Sequence, residues 1–270
     1  MEIRSLNQTP LRAIVDCLLI AFEDYFVPMP SDVNYWADRF KGARVDLALS
    51  YGAFVGERLV GFIIHGIDQY KGQQTAFNTG TGVIPEYRSQ KIVDQIYAHC
   101  IPSLKQQGIT QCALEVIQDN HRAIRVYERI GFSITRNFLC FKGKLQQEPE
   151  DLQVRPVPFE QVQCLRTDHQ LYSWDNVDAA IQTAGSIYTT YQVNHGDRAI
   201  GFFTVNPKNG YLAQYEANPD DFPSLLAGIQ VVHPDVRINN VDQERAETIL
   251  FLLSAGLDNH IDQYEMVMQI

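Results

Sequence analysis

A strand that stops at a proline and yields to a helix within a few residues is written in Gly82-Val83-Ile84-Pro85-Glu86-Tyr87-Arg88-Ser89-Gln90-Lys91-Ile92-Val93. The first N–H groups of a helix lack intrahelical partners, and with the positive end of the helix dipole they suit a pyrophosphate. Arg88 and Lys91 put fixed positive charge at the same point. The same residues also fit a solvated helix start with two surface cations. Farther on, Asn120-His121-Arg122-Ala123-Ile124-Arg125-Val126-Tyr127-Glu128-Arg129-Ile130-Gly131-Phe132 offers Asn120 as a helix cap and Tyr127 seven residues later. That spacing is about two turns, so cap and phenol face one side of the helix. A half-buried aromatic without chemistry is the alternative for Tyr127.

The elements that must position these groups follow from patterning. Thr9 is expected to cap a helix to about Phe22, and Ser31 a second to about Phe40. Asp46–Val55 and Arg58–Ile67 read as a hairpin, and Thr75–Ile84 as a third strand ahead of Pro85. Ile92, Ile96, Ile101 and Leu104 share one helical face that closes near Gly108, with Pro102 as a source of a kink. Cys112–Ile117 is a short apolar strand, Asn120–Ile130 a helix, and Ser133–Leu145 a final strand pair. The order is α/β, with a mostly antiparallel front and one strand-helix-strand unit behind.

The chain of 270 residues is long enough for two domains. Its formal charge of -10 would repel a phosphate backbone, which argues against a nucleic-acid partner. No run of about eighteen apolar residues is present, and the first twenty residues, with Glu2 and Asp16, do not read as a signal peptide. Cys17, Cys100, Cys112, Cys140 and Cys164 are odd in number and never spaced C-x-x-C. That is the usage of a reducing compartment, so a cytoplasmic protein without a metal site is expected.

The polar, proline-containing stretch 146–151 is the expected linker between domains 1–145 and 152–270. Gly56-Glu57-Arg58-Leu59-Val60-Gly61-Phe62 recurs 140 residues later as Gly196-Asp197-Arg198-Ala199-Ile200-Gly201-Phe202. Gly131-Phe132 recurs as Gly256-Leu257. Two copies of one fold are implied.

The first half resembles the GCN5-related N-acetyltransferase (GNAT) family. Its pattern is Val-x-Pro-x-x-Arg-x-x-Gly-x-Gly or Ala, then Leu-x-Val, Asn, Ala, Tyr and Gly-Phe. Here these are Val83 to Val93, Leu114-Glu115-Val116, Asn120, Ala123, Tyr127 and Gly131-Phe132. The resemblance implies two tandem domains, each a mixed, mostly antiparallel sheet flanked by helices. It implies acetyl-coenzyme A held by the turn Arg88, Ser89, Gln90, Lys91, Ile92 and Val93, with pantetheine along the Val83-Ile84 strand edge and Asn120 nearby. Tyr127 then corresponds to the general acid that protonates the departing thiolate. Lys91 and Val93 stand where the family has glycines, and both suit the turn if they hold ordinary helical dihedrals.

Acetyl transfer needs a neutral amine, a polarised carbonyl and a protonated leaving thiolate. Glu115 is a candidate base acting through water, with a structural ion pair as its alternative. Glu86, His65 and His121 read better as solvated or packed residues. Asp24, Tyr25 and Phe26, in the loop after the first helix, are candidates for the acceptor pocket, where the carboxylate would favour a cationic amine. In the second copy Arg245 stands for Asn120 and Leu252 for Tyr127, and Asn218-Pro219-Asp220-Asp221 makes an acidic helix start. That copy is expected to be degenerate, with Asp175, Asp178 and Glu216 solvated. An N-acetyltransferase acting on a small-molecule or peptide amine, as monomer or homodimer, is the leading expectation. A non-catalytic acyl-CoA-binding or partner-binding module is the alternative.

Overall fold

The computed structural model describes residues 1–148, 150–163 and 171–270. Cys164 and Pro149 of the expected linker therefore lie outside the described residues. The chain forms two compact units. The first is Met1–Val116, Asn120–Thr135 and Glu265–Ile270; the second is Ile117–Asp119 and Arg136–Tyr264.

The first unit runs β1 (Glu2–Ser5), α1 (Leu11–Ala21), α2 (Val33–Gly42), β2 (Tyr51–Val55), β3 (Arg58–Tyr70), β4 (Gln73–Val83), α3 (Ile92–Gln106), β5 (Gln111–Ile117) and α4 (His121–Ile130). Its strands lie in the order β1-β2-β3-β4-β5, followed by β13 (Gln263–Gln269) from the far end of the sequence. Pairing is antiparallel from β1 to β4 and parallel between β4 and β5, as a strand-helix-strand connection requires. Phe62, Ile63 and Ile64 of β3 and Ile96 and Leu104 of α3 are fully buried.

Local rules decide the helix starts. Asn120 Oδ1 accepts from Ala123 N at 3.1 Å, the expected cap of α4. The cap of α2 is Asp32, which accepts from Asn34 N at 2.9 Å, rather than Ser31. A carboxylate one residue nearer the helix outcompetes the hydroxyl. Helix α1 begins after Pro10 with no side-chain cap, so Thr9 does not serve. The expected strand pair at 133–145 is one strand, β6 (Ser133–Lys144). It contains no glycine or proline before Gly143, and so nothing to make a hairpin turn.

Buried in this core is His65, whose Nδ1 donates to the Leu49 carbonyl at 2.7 Å while its ring meets Tyr97 edge-on. Burial pushes its pKa down to about 4. The unfolded chain, with an ordinary histidine, takes up a proton first as pH falls. Stability is therefore full above about pH 6.5 and is lost progressively toward pH 4, by roughly 3 kcal/mol. Urea midpoints should fall between pH 7 and pH 4.5, and His65→Gln should flatten that slope. An unchanged slope in the variant would exclude His65 as the cause.

The second unit contains β6 from Arg136 onward, β7 (Gln153–Val157), α5 (Phe159–Val162), α6 (Asp178–Ala184), β8 (Thr189–His195), β9 (Arg198–Asn206), β10 (Tyr211–Ala217), α7 (Phe222–Val232), β11 (Asp235–Asp242), α8 (Ala246–Ser254) and β12 (Asp258–Asn259). Its strand order is β6-β11-β10-β9-β8-β7, with β12 on β6. The repeat read from the sequence extends to irregularities. Register in the β2-β3 hairpin slips between Ala53↔Gly61 and Phe54↔Leu59, and in β8-β9 between Val193↔Gly201 and Asn194↔Ala199. The turn glycines Gly56 and Gly196 hold φ of 59° and 58°. The same bulge at the same offset marks two copies of one fold.

In the second copy the side chains that stand for Asn120 and Tyr127 are engaged within the unit. Leu252 is fully buried. Arg245 lies against Glu216, with its guanidinium over the rings of Tyr172 and Tyr215. Burial opposes the Arg245 charge, but Tyr172, Tyr215 and Glu216 outweigh it and raise the pKa. Glu216 accepts from the Tyr172 hydroxyl at 2.7 Å, and Asp178 accepts from Gln163 and Gln214, so neither carboxylate is merely solvated. At the start of α7, Asp221 is held by Arg198 through two bonds of 2.7 Å. A carboxylate there takes the place that an anionic ligand would need.

Candidate active site

The site is built where β4 leaves its neighbours. Register between β3 and β4 shifts between Ile64↔Gly80 and His65↔Asn78, so Thr79 is an extra, bulged residue. Parallel pairing with β5 ends at Asn78↔Leu114. Beyond that point β4 has β3 on one side only. Ile84 N donates to Val60 O at 3.0 Å, which turns the Ile84 amide toward β3. By strand alternation the Val83 and Thr81 amides turn the other way, into the opening.

A cavity of about 580 Å³ occupies this opening. Val83, Arg88, Ser89, Lys91, Ile92, Val93, Asn120, Tyr127, Asp24, Tyr25 and Phe26 all line it. Ile84, Gln90 and Glu115 are not among the lining residues. Ile84 is buried, and the Gln90 carbonyl accepts from the Gln95 side chain at 3.0 Å. Glu115 is half-buried on β5.

At one end of the cavity is the turn into α3. Ser89 and Lys91 both hold left-handed backbone, with φ of 65° and 53°. Such residues next to a helix start form a nest of amide hydrogens that suits an anion. Val93 lies within α3 and has ordinary helical geometry, but Lys91 does not. Glycine's backbone conformation is thus retained at Lys91, at a cost of roughly 1–2 kcal/mol for a side-chain-bearing residue, and the position gains a cation.

Arg88 does more than add charge. Its guanidinium grips Asp24 through bonds of 2.6 and 2.7 Å, while Nη2 and Nε donate to the carbonyls of Ala21 and Val83. Those bonds lower the Asp24 pKa and fasten the loop after α1 to the end of β4. Asp24 therefore enters the site as half of an ion pair, with Tyr25 next to it and close to the Asn120 side chain.

Tyr127 is buried, edge-on to Phe132, with its hydroxyl beside the Thr81 and Asn78 side chains. Burial pushes its pKa up to about 12, and these polar neighbours only partly offset it. The phenol is a proton donor at any ordinary pH. Asn78 organises the bulge: its Nδ2 donates to Thr81 Oγ1 at 2.6 Å and to Tyr97 OH at 2.9 Å, and its Oδ1 accepts from Gly80 N at 3.1 Å. Sequence reasoning missed Asn78, Thr81 and Tyr97, which carry no local motif. It also missed Arg122 and Arg125 on the cavity wall, although with Arg129 they repeat at helical spacing.

Residues 13–132 match the model of the Acetyltransferase (GNAT) family. N-alpha-acetyltransferase 30 of Schizosaccharomyces pombe is 29% identical over 84 residues, 31% of this chain. That stretch spans 56%, little more than half, of the relative's length. Over the whole chain, the structure is similar to a putative acetyltransferase from Pyrococcus horikoshii, with TM-score 0.70, 12% identity and coverage of 100% of this chain and 89% of that one. It is also similar to a tandem GNAT protein from the clavulanic acid biosynthesis pathway, with TM-score 0.66, 14% identity and coverage of 99% and 98%. The family match is carried by the segment that builds the cavity, and over its whole length the chain has the fold of that tandem protein.

Proposed function

We propose that the first unit transfers an acetyl group from acetyl-coenzyme A directly to a primary amine of a small molecule or peptide. The observation that carries this reading is a buried, protonated Tyr127 phenol at the point where β4 parts from β5, in one cavity with the nest before α3. The donor set fits the cosubstrate: amides and Lys91 for a diphosphate, an open strand edge for an amide-bearing arm, and a hydroxyl for a thiolate. When bound, acetyl-coenzyme A supplies an activated acyl group on a thioester. The Val83 amide is placed to polarise a carbonyl at the strand edge. Tyr127 gives its proton to the leaving sulfur, with Thr81 and Asn78 as polar neighbours of the hydroxyl. Tyr25 and Phe26 form the apolar wall for the acceptor, and the Arg88–Asp24 pair fixes their loop. The second unit, with Asp221 at its helix start and Leu252 in place of the phenol, acts as scaffold.

Titration calorimetry with acetyl-coenzyme A, followed by thiol release with a panel of amines, tests this. Saturable binding with amine-dependent thiol release is expected. Binding with no release on any amine would favour a non-catalytic acyl-CoA module instead.

A further inference from the structure

On a chain of net charge -10, the cavity wall is cationic. Arg88, Lys91, Arg122, Arg125 and Arg129 line it, against Asp24 and Asp94. Both acids are spoken for. Asp24 is held by Arg88, and Asp94, in the first turn of α3, accepts from Arg129 at 2.7 and 2.8 Å. Lys91, Arg122 and Arg125 remain, and among the described residues none of the three side chains has a hydrogen bond or an ion pair.

Their placement is ordered. Arg122, Arg125 and Arg129 occupy one face of α4 at successive turns. The Asp94–Arg129 pair ties the end of α4 to the start of α3, and Arg125, one turn back along α4, lines the same cavity as Lys91. Arg122 is at the other end of the row, near enough to Asp24 for its charge to be felt there. The row thus shares one cavity with residues 88, 89 and 91–94. The nest and Lys91 already provide for a diphosphate. Two adjacent, exposed guanidiniums with no internal partner exceed that need, and their forked donors match the oxygens of a phosphate monoester.

We infer that Arg122 and Arg125 form a second phosphate subsite, which binds the 3′-phosphate of the coenzyme and makes the enzyme discriminate against coenzyme lacking it. This rests on the coenzyme reading above. The subsite holds a dianion by charge-assisted hydrogen bonds, and no covalent step is involved.

The test compares coenzyme A with dephospho-coenzyme A by calorimetry, on the full chain and on the Arg122→Gln, Arg125→Gln and double variants. Glutamine keeps a good helix former at these exposed positions. The unmodified chain should prefer coenzyme A by about tenfold or more. The double variant should lose that preference, with coenzyme A weakened by about the same factor and dephospho-coenzyme A changed less than about twofold. Equal binding of the two ligands by the unmodified chain would overturn the subsite and leave the coenzyme reading standing. Parallel weakening of both ligands in the variants would overturn it as well, since the arginines would then serve the shared diphosphate. Binding of neither ligand by the unmodified chain would overturn the coenzyme reading and the subsite together.

Discussion

A chain stopped at Tyr264 should fail to fold its first unit, although the deleted residues lie about 130 positions beyond the unit's other parts. Strand β13 is the neighbour of β5, and within it Glu265 and Met266 are almost wholly buried and Met268 nearly so. Glu265 accepts from the Tyr70 hydroxyl at 2.7 Å and from Thr135 Oγ1 at 3.1 Å, and lies 3.5 Å from Lys71 Nζ. Ile270 N donates to Thr110 O at 2.9 Å. Deletion strips β5 of a partner, leaves the Tyr70 hydroxyl without its acceptor and exposes the core under two methionines. Each buried methionine is worth about 1.5–3 kcal/mol, and the lost buried polar bonds cost about 1–3 kcal/mol apiece. The sum approaches or exceeds the 5–15 kcal/mol that typically holds a domain together. The expected result is an aggregated or molten product that binds no acetyl-coenzyme A. Glu265→Gln, which keeps the strand, should fold with a lowered melting temperature. A truncated chain that melts within a few degrees of the full one would show that β13 is dispensable.

Tyr127→Phe should leave coenzyme binding within about threefold and lower kcat by about 10²–10⁴-fold, the usual range for loss of a positioned proton donor. Removing a buried hydroxyl beside Thr81 and Asn78 also costs some stability, so the ratio of binding to turnover is the informative readout. The pH dependence has a definite sign. Folding raises the phenol from the ordinary tyrosine value near 10 to about 12. Its contribution to stability is therefore intact below about pH 10 and is lost as pH rises toward 12. No loss of kcat between pH 7 and pH 10 should trace to this group, and Tyr127→Phe should flatten the alkaline limb of the unfolding curve. Full turnover by the variant would remove Tyr127 from proton transfer.

What was legible in the sequence was local. The Asn120 cap, the phenol seven residues on and the Gly131 stop announced α4, because caps, helical period and positive-φ glycines act within a few residues. The hairpin repeat announced two copies, down to a shared bulge. Long-range pairing was not legible. Arg88 looked like a phosphate ligand, and its grip on Asp24 joins residues 64 apart. The strand beside β5 comes from residues 263–269, and no pattern within Ser133–Leu145 says that its expected second strand lies there instead. Lys91 shows the limit for backbone. A lysine in the sequence gives no sign that it holds a glycine-like conformation.

The interleaved order of the units also bears on how the protein is made. At about 5–20 residues per second, synthesis needs on the order of 10 s to travel from Thr135 to Glu265. Throughout that time the nascent first unit waits on the ribosome with one flank of its sheet bare. Chaperone demand during translation should accordingly track the speed at which the second half is decoded.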